Sequence, residues 1–243
     1  MFKSFSKKLA SSIPNNSFGS NLFSAYDFGG CIFWLNAEDA INGKSNLDPV
    51  LDWTDRVFGV RFDAPVATPP RIVLNNALYN NNPTVESIDR TRWMVSYNGG
   101  LTLPSKYTLA VVANYGTLSQ GAYFLGNEVS IYGFGMGGSS AGLNGVFSRQ
   151  LNGTIETATT ENSNSKISIF SSDVGIMVDK VVEYSTPLAV FNGLLNAIFN
   201  VSFQNGNLGL LGNIAEILVF NRSFDLNDCQ SLSDKLNIKY SIY

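Results

Sequence analysis

The chain has 243 residues, 44% apolar and 14% charged, with no histidine and a formal net charge of −3. That length buries a large core and suits a single all-β domain. The acidic balance lacks the basic footprint of a nucleic-acid binder, the missing histidine removes the commonest acid–base and metal-ligating side chain, and no apolar run is long enough for a membrane span.

Residues 1–28 differ in composition from the rest of the chain. Lys3, Lys7 and Lys8 are interspersed with Phe2, Phe5 and Leu9, and no apolar segment of the signal-peptide kind comes after them. The composition suggests an N-terminal docking arm, pinned against a neighbouring subunit or partner. Residues 29–243 read as one domain.

Cys31–Asn36 is the first buried strand. Val50–Asp55 comes after a polar loop through Asn42-Gly43. Trp34 and Trp53 belong in a core, because large aromatics dominate sandwich interiors. Asp52 and Asp55 are two carboxylates on one loop, a calcium signal weaker than their ordinary use in turns. Residues 56–90 hold Pro65, Pro69, Pro70, Pro83 and Asn80-Asn81-Asn82. They read as an irregular insertion that packs on a neighbour or forms an edge of an assembly.

Strands resume at Trp93–Tyr97, closed by the turn Asn98-Gly99-Gly100. Tyr107–Asn114 is almost continuously apolar, which places it centrally in a sheet covered on both faces. Ala122–Leu125 and Glu128–Phe134 pair around Gly126-Asn127. The glycine-rich Gly133–Gly145 lacks both the Gly-Lys-Ser/Thr ending and the following helix of nucleotide loops, so it reads as a loop or a bulge-rich sheet end. Phe147–Leu151 and Thr154–Thr159 flank Asn152-Gly153 as a hairpin. Lys166–Phe170, Val174–Val178, Val181–Tyr184 and Leu188–Phe191 are four short strands, and Ala197–Phe203 alternates before Gln204-Asn205-Gly206. Short strands at this spacing with turn signals between them indicate a sandwich.

The chain closes on Gly212–Tyr243. Ile214–Phe220 is an apolar run broken only by Glu216. After the turn Asn221-Arg222-Ser223, Asp225 is placed as a helix N-cap. Phe224 and Cys229 stand at the two positions of a hydrophobic staple. Leu226, Cys229, Leu232 or Ser233, and Leu236 recur at helical spacing, giving about three turns with one apolar face. Cys31 and Cys229 show neither a disulfide framework nor metal-ligand spacing and read as buried thiols.

This closing pattern, from Gly212 through Asn221-Arg222 to Lys239-Tyr240, resembles the end of laminin-G-like, concanavalin A-like jelly-roll modules. Trp34, Leu35, Asn36, Ala37, Val50, Trp53 and Asp55 resemble their opening, with Asn36 where an Asp is more usual. The runs YTLAVVA and YFLG, within Tyr107–Leu125 and Gly126, resemble their middle strands. The resemblance implies an all-β sandwich of two antiparallel sheets with a short C-terminal helix, of the kind found in phage virion and bacterial surface proteins.

Catalysis lacks its residues. Glycosidases on this fold carry E-x-D-x-x-E on one strand, whereas Glu86, Asp89, Glu156, Glu161 and Glu216 are scattered. Without histidine there is no Ser-His-Asp triad and no partner for a thiol nucleophile. The leading expectation is a non-catalytic virion protein: a head decoration, fibre or tail accessory, made in the host cytoplasm. It would dock through its arm on other virion proteins and on copies of itself. It would take no cofactor and no metal, and would meet neither nucleic acid nor membrane. The alternative is a carbohydrate-binding module recognising host surface glycan, with Tyr79, Tyr115, Tyr123 and Tyr132 as stacking candidates. Glycan hydrolysis is the third.

Overall fold

The structure, a computed structural model, describes residues 23–89, 91–115, 122–129, 133–138, 143–151, 154–157, 164–191, 193–199 and 210–243. Strands are numbered in chain order. The first sheet holds β1 (Cys31–Asn36), β4 (Arg71–Asn76), β5 (Asn82–Ser87), β8 (Thr108–Tyr115), β13 (Lys166–Ser171), β14 (Gly175–Val178), β15 (Val181–Tyr184) and β18 (Gly212–Phe220). Its order is β15-β14-β13-β8-β18-β5-β4. One edge of β18 runs along β8; the other is shared, Gly212–Ile214 pairing with β5 and Glu216–Phe220 with β1.

The second sheet runs β12 (Thr154–Thr157), β11 (Leu143–Leu151), β10 (Gly133–Gly138), β9 (Ala122–Gly126), β17 (Ala197–Ile198), β6 (Met94–Val95), β3 (Arg61–Asp63), β2 (Asp52–Thr54). A two-stranded ribbon, β7 (Leu101–Thr102) with β16 (Leu194–Leu195), stands beside it. The described pairings are all antiparallel, as the closely spaced turns require.

Each strand's alternation assigns its side chains to a layer. Phe33, Leu35, Leu109, Val111, Ile217 and Val219 of the first sheet meet Trp53, Phe62, Met94, Phe124, Phe134 and Ile198 of the second in the core between the sheets. Trp34, Ala110, Val112, Leu218 and Phe220 face the other way, under α1 (Leu226–Tyr240). The first sheet is therefore covered on both faces there, so β8 and β18 are largely apolar, with Thr108, Asn114, Asn213 and Glu216 as buried polar exceptions. All nine residues of β18 are buried.

The helix starts where its cap says. The Asp225 carboxylate accepts from Asp228 N–H at 2.8 Å, and Phe224 and Cys229 are both buried beneath the first turn. It extends over fifteen residues, a turn longer than the sequence spacing suggests, because Tyr240 also inserts. Leu226, counted on the apolar face, is instead 42% exposed.

Residues 56–90 are not irregular: they supply β3 to one sheet and β4 and β5 to the other. Pro83 is tolerated because it falls in the register break between β5 and β4, before the stretch of β5 that pairs with β18. Of the expected strand Glu128–Phe134, Glu128 and Val129 carry no strand, Gly133 and Phe134 begin β10, and residues 130–132 lie outside the described residues. Leu188–Phe191 carries no strand; Leu188 and Phe191 are core plugs, with Leu188 N–H bonded to Ser172 O. Residues 23–28, read as part of the arm, pack on the chain's own body. The Phe28 ring stacks on Phe224 at 5.7 Å, and Phe23 meets the edge of Trp34 at 6.2 Å. Residues 1–22, and with them the rest of the docking arm, lie outside the described residues.

Candidate functional site

The carboxylates and tyrosines singled out in the sequence are scattered over the molecule. Asp55 is buried and accepts from the backbone N–H of Trp34, Val57 and Phe58 at 2.6, 3.2 and 2.7 Å, so it ties a turn. Asp52 faces Arg61 at 3.5 Å on the surface. Glu86 pairs with Arg71 at 2.5 Å and Asp89 with Arg92 at 2.9 Å. Tyr79 is fully buried and packs edge-on against Tyr240, and Tyr123 is only 3% exposed, so neither offers a ring to a ligand. The side chains of Tyr115 and Glu156, and residues Tyr132 and Glu161, lie outside what is described. Cys31 and Cys229 are free thiols, each pushed up to about 12 by burial. Among the described residues no group of three His, Cys, Asp or Glu is placed to hold a metal.

Glu216, alone on its strand in the sequence, is the centre of a buried knot. A bulge at Ala215 breaks the register of β18 against β8, which lets Glu216 turn toward the helix as Ala215 does. Its carboxylate accepts from Trp34 Nε1 at 2.5 Å, Asn36 Nδ2 at 3.4 Å, Tyr240 OH at 2.7 Å and Lys239 Nζ at 3.3 Å. Four donors fill the lone-pair sites of a carboxylate. With no exposed surface the acid is closed to any substrate; it fastens the helix to β1 and β18.

A different cluster lies open to solvent, where loops leave one end of the second sheet. Three segments converge there: Ser96–Gly100 after β6, Asn127–Val129 after β9, and Leu194–Asn196, which is β16 and the one residue before β17. Asn196 is the hub. Its Oδ1 accepts from Asn127 Nδ2 at 3.3 Å and Glu128 N at 3.1 Å, and its Nδ2 donates to Glu128 Oε1 at 3.0 Å. Its backbone N–H donates to Gly126 O and its carbonyl accepts from Ser96 N, both at 2.9 Å. Asn127 adds a bond from Nδ2 to Leu194 O at 2.8 Å and accepts from Val129 N at 2.9 Å. Buried, multiply bonded amides of this kind hold loops in one conformation.

The first segment is pressed onto the hub. A Cβ on Gly100 would come within 2.8 Å of Leu195 O and 2.9 Å of Asn196 Cβ, so only glycine allows the approach. Tyr97, two residues past β6, is 70% exposed. Ser96 Oγ beside it is buried with no hydrogen-bond partner among the described residues. Among the described residues, the Glu128 carboxylate accepts from Asn196 Nδ2 on Oε1. The result is an exposed aromatic ring and a carboxylate on segments tied to one rigid amide hub, the pairing of apolar surface with polar groups found in small-molecule sites. None of these residues stood out in the sequence. The signals that could have found Tyr97 and Glu128 are the turns they adjoin, Asn98-Gly99-Gly100 and Gly126-Asn127.

No family model and no curated protein matches the chain. Solved structures do. The chain is similar to the Trypanosoma rangeli sialidase in complex with sialic acid, with TM-score 0.54 and 11% identity, over 86% of this chain and 33% of that one. It is similar also to the binding domain of botulinum neurotoxin DC in complex with SialylT, with TM-score 0.50 and 9% identity, over 86% of this chain and 52% of that one. The chain thus spans about a third and about half of those two structures. At these identities the likeness concerns the fold alone, a β-sandwich of two antiparallel sheets with a C-terminal helix.

Proposed function

We propose that this chain is a carbohydrate-binding module whose site is the loop cluster around Asn196. The observation that carries it is the pairing of a solvent-facing Tyr97 ring with a carboxylate, on segments tied to one bonded amide hub. Sugars suit such a surface: their C–H faces pack on aromatic rings, and their hydroxyl edges hydrogen-bond to charged and amide groups. The sandwich fold supports this reading. Binding without hydrolysis is proposed, because Glu128 is the one carboxylate in the three segments and glycosidases use two. The test is a glycan array with the full chain beside Tyr97→Ala. Binding to a defined glycan that Tyr97→Ala weakens at least tenfold is expected; glycan binding untouched by that change would move the site elsewhere, and no binding would sink the reading.

A display role on a virus particle is our second reading. It is supported by the closing pattern Gly212–Tyr243, which forms the strand, turn and capped helix that prompted the resemblance. It expects self-association. The solution mass of the full chain beside one lacking residues 1–22 tests it; two identical monomers would count against it.

A further inference from the structure

We infer that the Asn196 loop site takes neutral glycans and rejects anionic ones such as sialylated or sulfated sugars; this rests on the carbohydrate reading above. Across Ser96–Gly100, Asn127–Val129 and Leu194–Asn196, Glu128 is the sole charged residue, and there is no Lys or Arg. Among the described residues the Glu128 carboxylate forms no ion pair: its bonding partner is the neutral amide Nδ2 of Asn196, on Oε1. The backbone Glu128 N–H is already spent on Asn196 Oδ1, and Val129 N–H on Asn127 Oδ1. The amide donors that would cradle an anion are therefore turned inward. What these segments offer a ligand is the Glu128 carboxylate and the Tyr97 ring. That set asks for hydroxyl donors and a C–H face.

A sugar carboxylate or sulfate seated on Tyr97 would be set against the Glu128 charge with no guanidinium or ammonium from these segments to meet it. Like charges at contact distance oppose binding, and more so where neighbouring atoms exclude water. Recognition of anionic groups elsewhere in proteins depends on Arg and Lys for this reason. A vicinal diol, in contrast, donates two hydrogen bonds to one carboxylate and supplies the charge-assisted bonds that a neutral ligand needs.

The experiment uses the full chain. Matched pairs of neutral oligosaccharides and their sialylated or sulfated forms are measured by calorimetry, for the wild type and for Glu128→Gln. Gln keeps an oxygen for Asn196 Nδ2, and retention of the melting temperature confirms the frame. The expected result is a neutral form bound at least tenfold tighter than its anionic counterpart. Glu128→Gln should weaken the neutral ligand about fivefold and narrow that gap. Tighter binding of the anionic form by the wild type, or a gap unchanged in Glu128→Gln, overturns the inference while leaving glycan binding standing. Failure of every glycan, charged or not, overturns the carbohydrate reading itself and this inference with it.

Discussion

Glu216 and Asn196 are both buried polar side chains with several partners, but what surrounds them differs. Glu216 lies beneath α1, and its donors come from β1 and from the helix itself. Asn196 lies beneath loops, and an exposed ring and a carboxylate stand beside it. A buried charge costs solvation and is tolerated when every lone pair is met; once sealed it can only hold elements together. A buried amide costs less, and its satisfied bonds leave neighbouring groups free to meet a ligand. The same chemical device is a fastener in one place and a frame in the other.

Substitutions in the two regions should therefore differ widely in effect. Glu216→Ala removes the buried acceptor of Trp34 Nε1 and Tyr240 OH and leaves Lys239 with Glu38 at 3.6 Å, at a cost of about 3–5 kcal/mol. Urea unfolding should show this; a loss under about 1 kcal/mol would mean the knot is not the fastener. Tyr240→Phe keeps the ring but leaves one carboxylate oxygen short of a donor, and should cost about 1–3 kcal/mol, measured the same way. Asp225→Ala removes the helix cap and should cost about 1 kcal/mol, with little change in glycan affinity. Tyr97→Ala should change stability by no more than about 0.5 kcal/mol, as an exposed side chain does, while weakening ligand binding at least tenfold. If stability and binding fell together, the two regions would not be separable.

Alkaline titration separates them in another way. Cys31 and Cys229 are raised by burial from 9.0 to about 12, so over that interval the unfolded chain holds fewer protons than the folded one. The stability they contribute is fully present below pH 9.0 and is lost as pH rises toward 12. Tyr79 and Tyr240, also raised by burial, steepen the loss above their ordinary 10.0. The urea midpoint should be flat to about pH 9 and fall beyond it, and Cys229→Ala should shallow that fall. A midpoint level to about pH 12 would show that these groups stay wet.

The helix-covered region was largely legible. A continuous apolar strand, a capping aspartate and a staple are local signals, and they led to β18, α1 and the central β8. The loop site was not, because its parts are 96–100, 127–129 and 194–196, joined by side-chain amides that leave no period in the sequence. The knot was legible only as an isolated Glu216, since its Trp34 partner is 182 residues away. Residues 56–90 misled because prolines suggest irregular chain, whereas strands of three to six residues fit between them at sheet edges.

The place of β18 in the first sheet also constrains how the molecule can be made. This strand bridges β8 to both β1 and β5, and its Phe220 pairs with Cys31 of β1, far away along the chain. Closing so distant a pairing is entropically slow, in the range of milliseconds to seconds for all-β domains. Until residues 212–220 are available, β1, β5 and β8 present unpaired edges, the surfaces on which nascent β proteins aggregate. A chain cut before Gly212 should therefore collect as insoluble material rather than as a smaller folded domain.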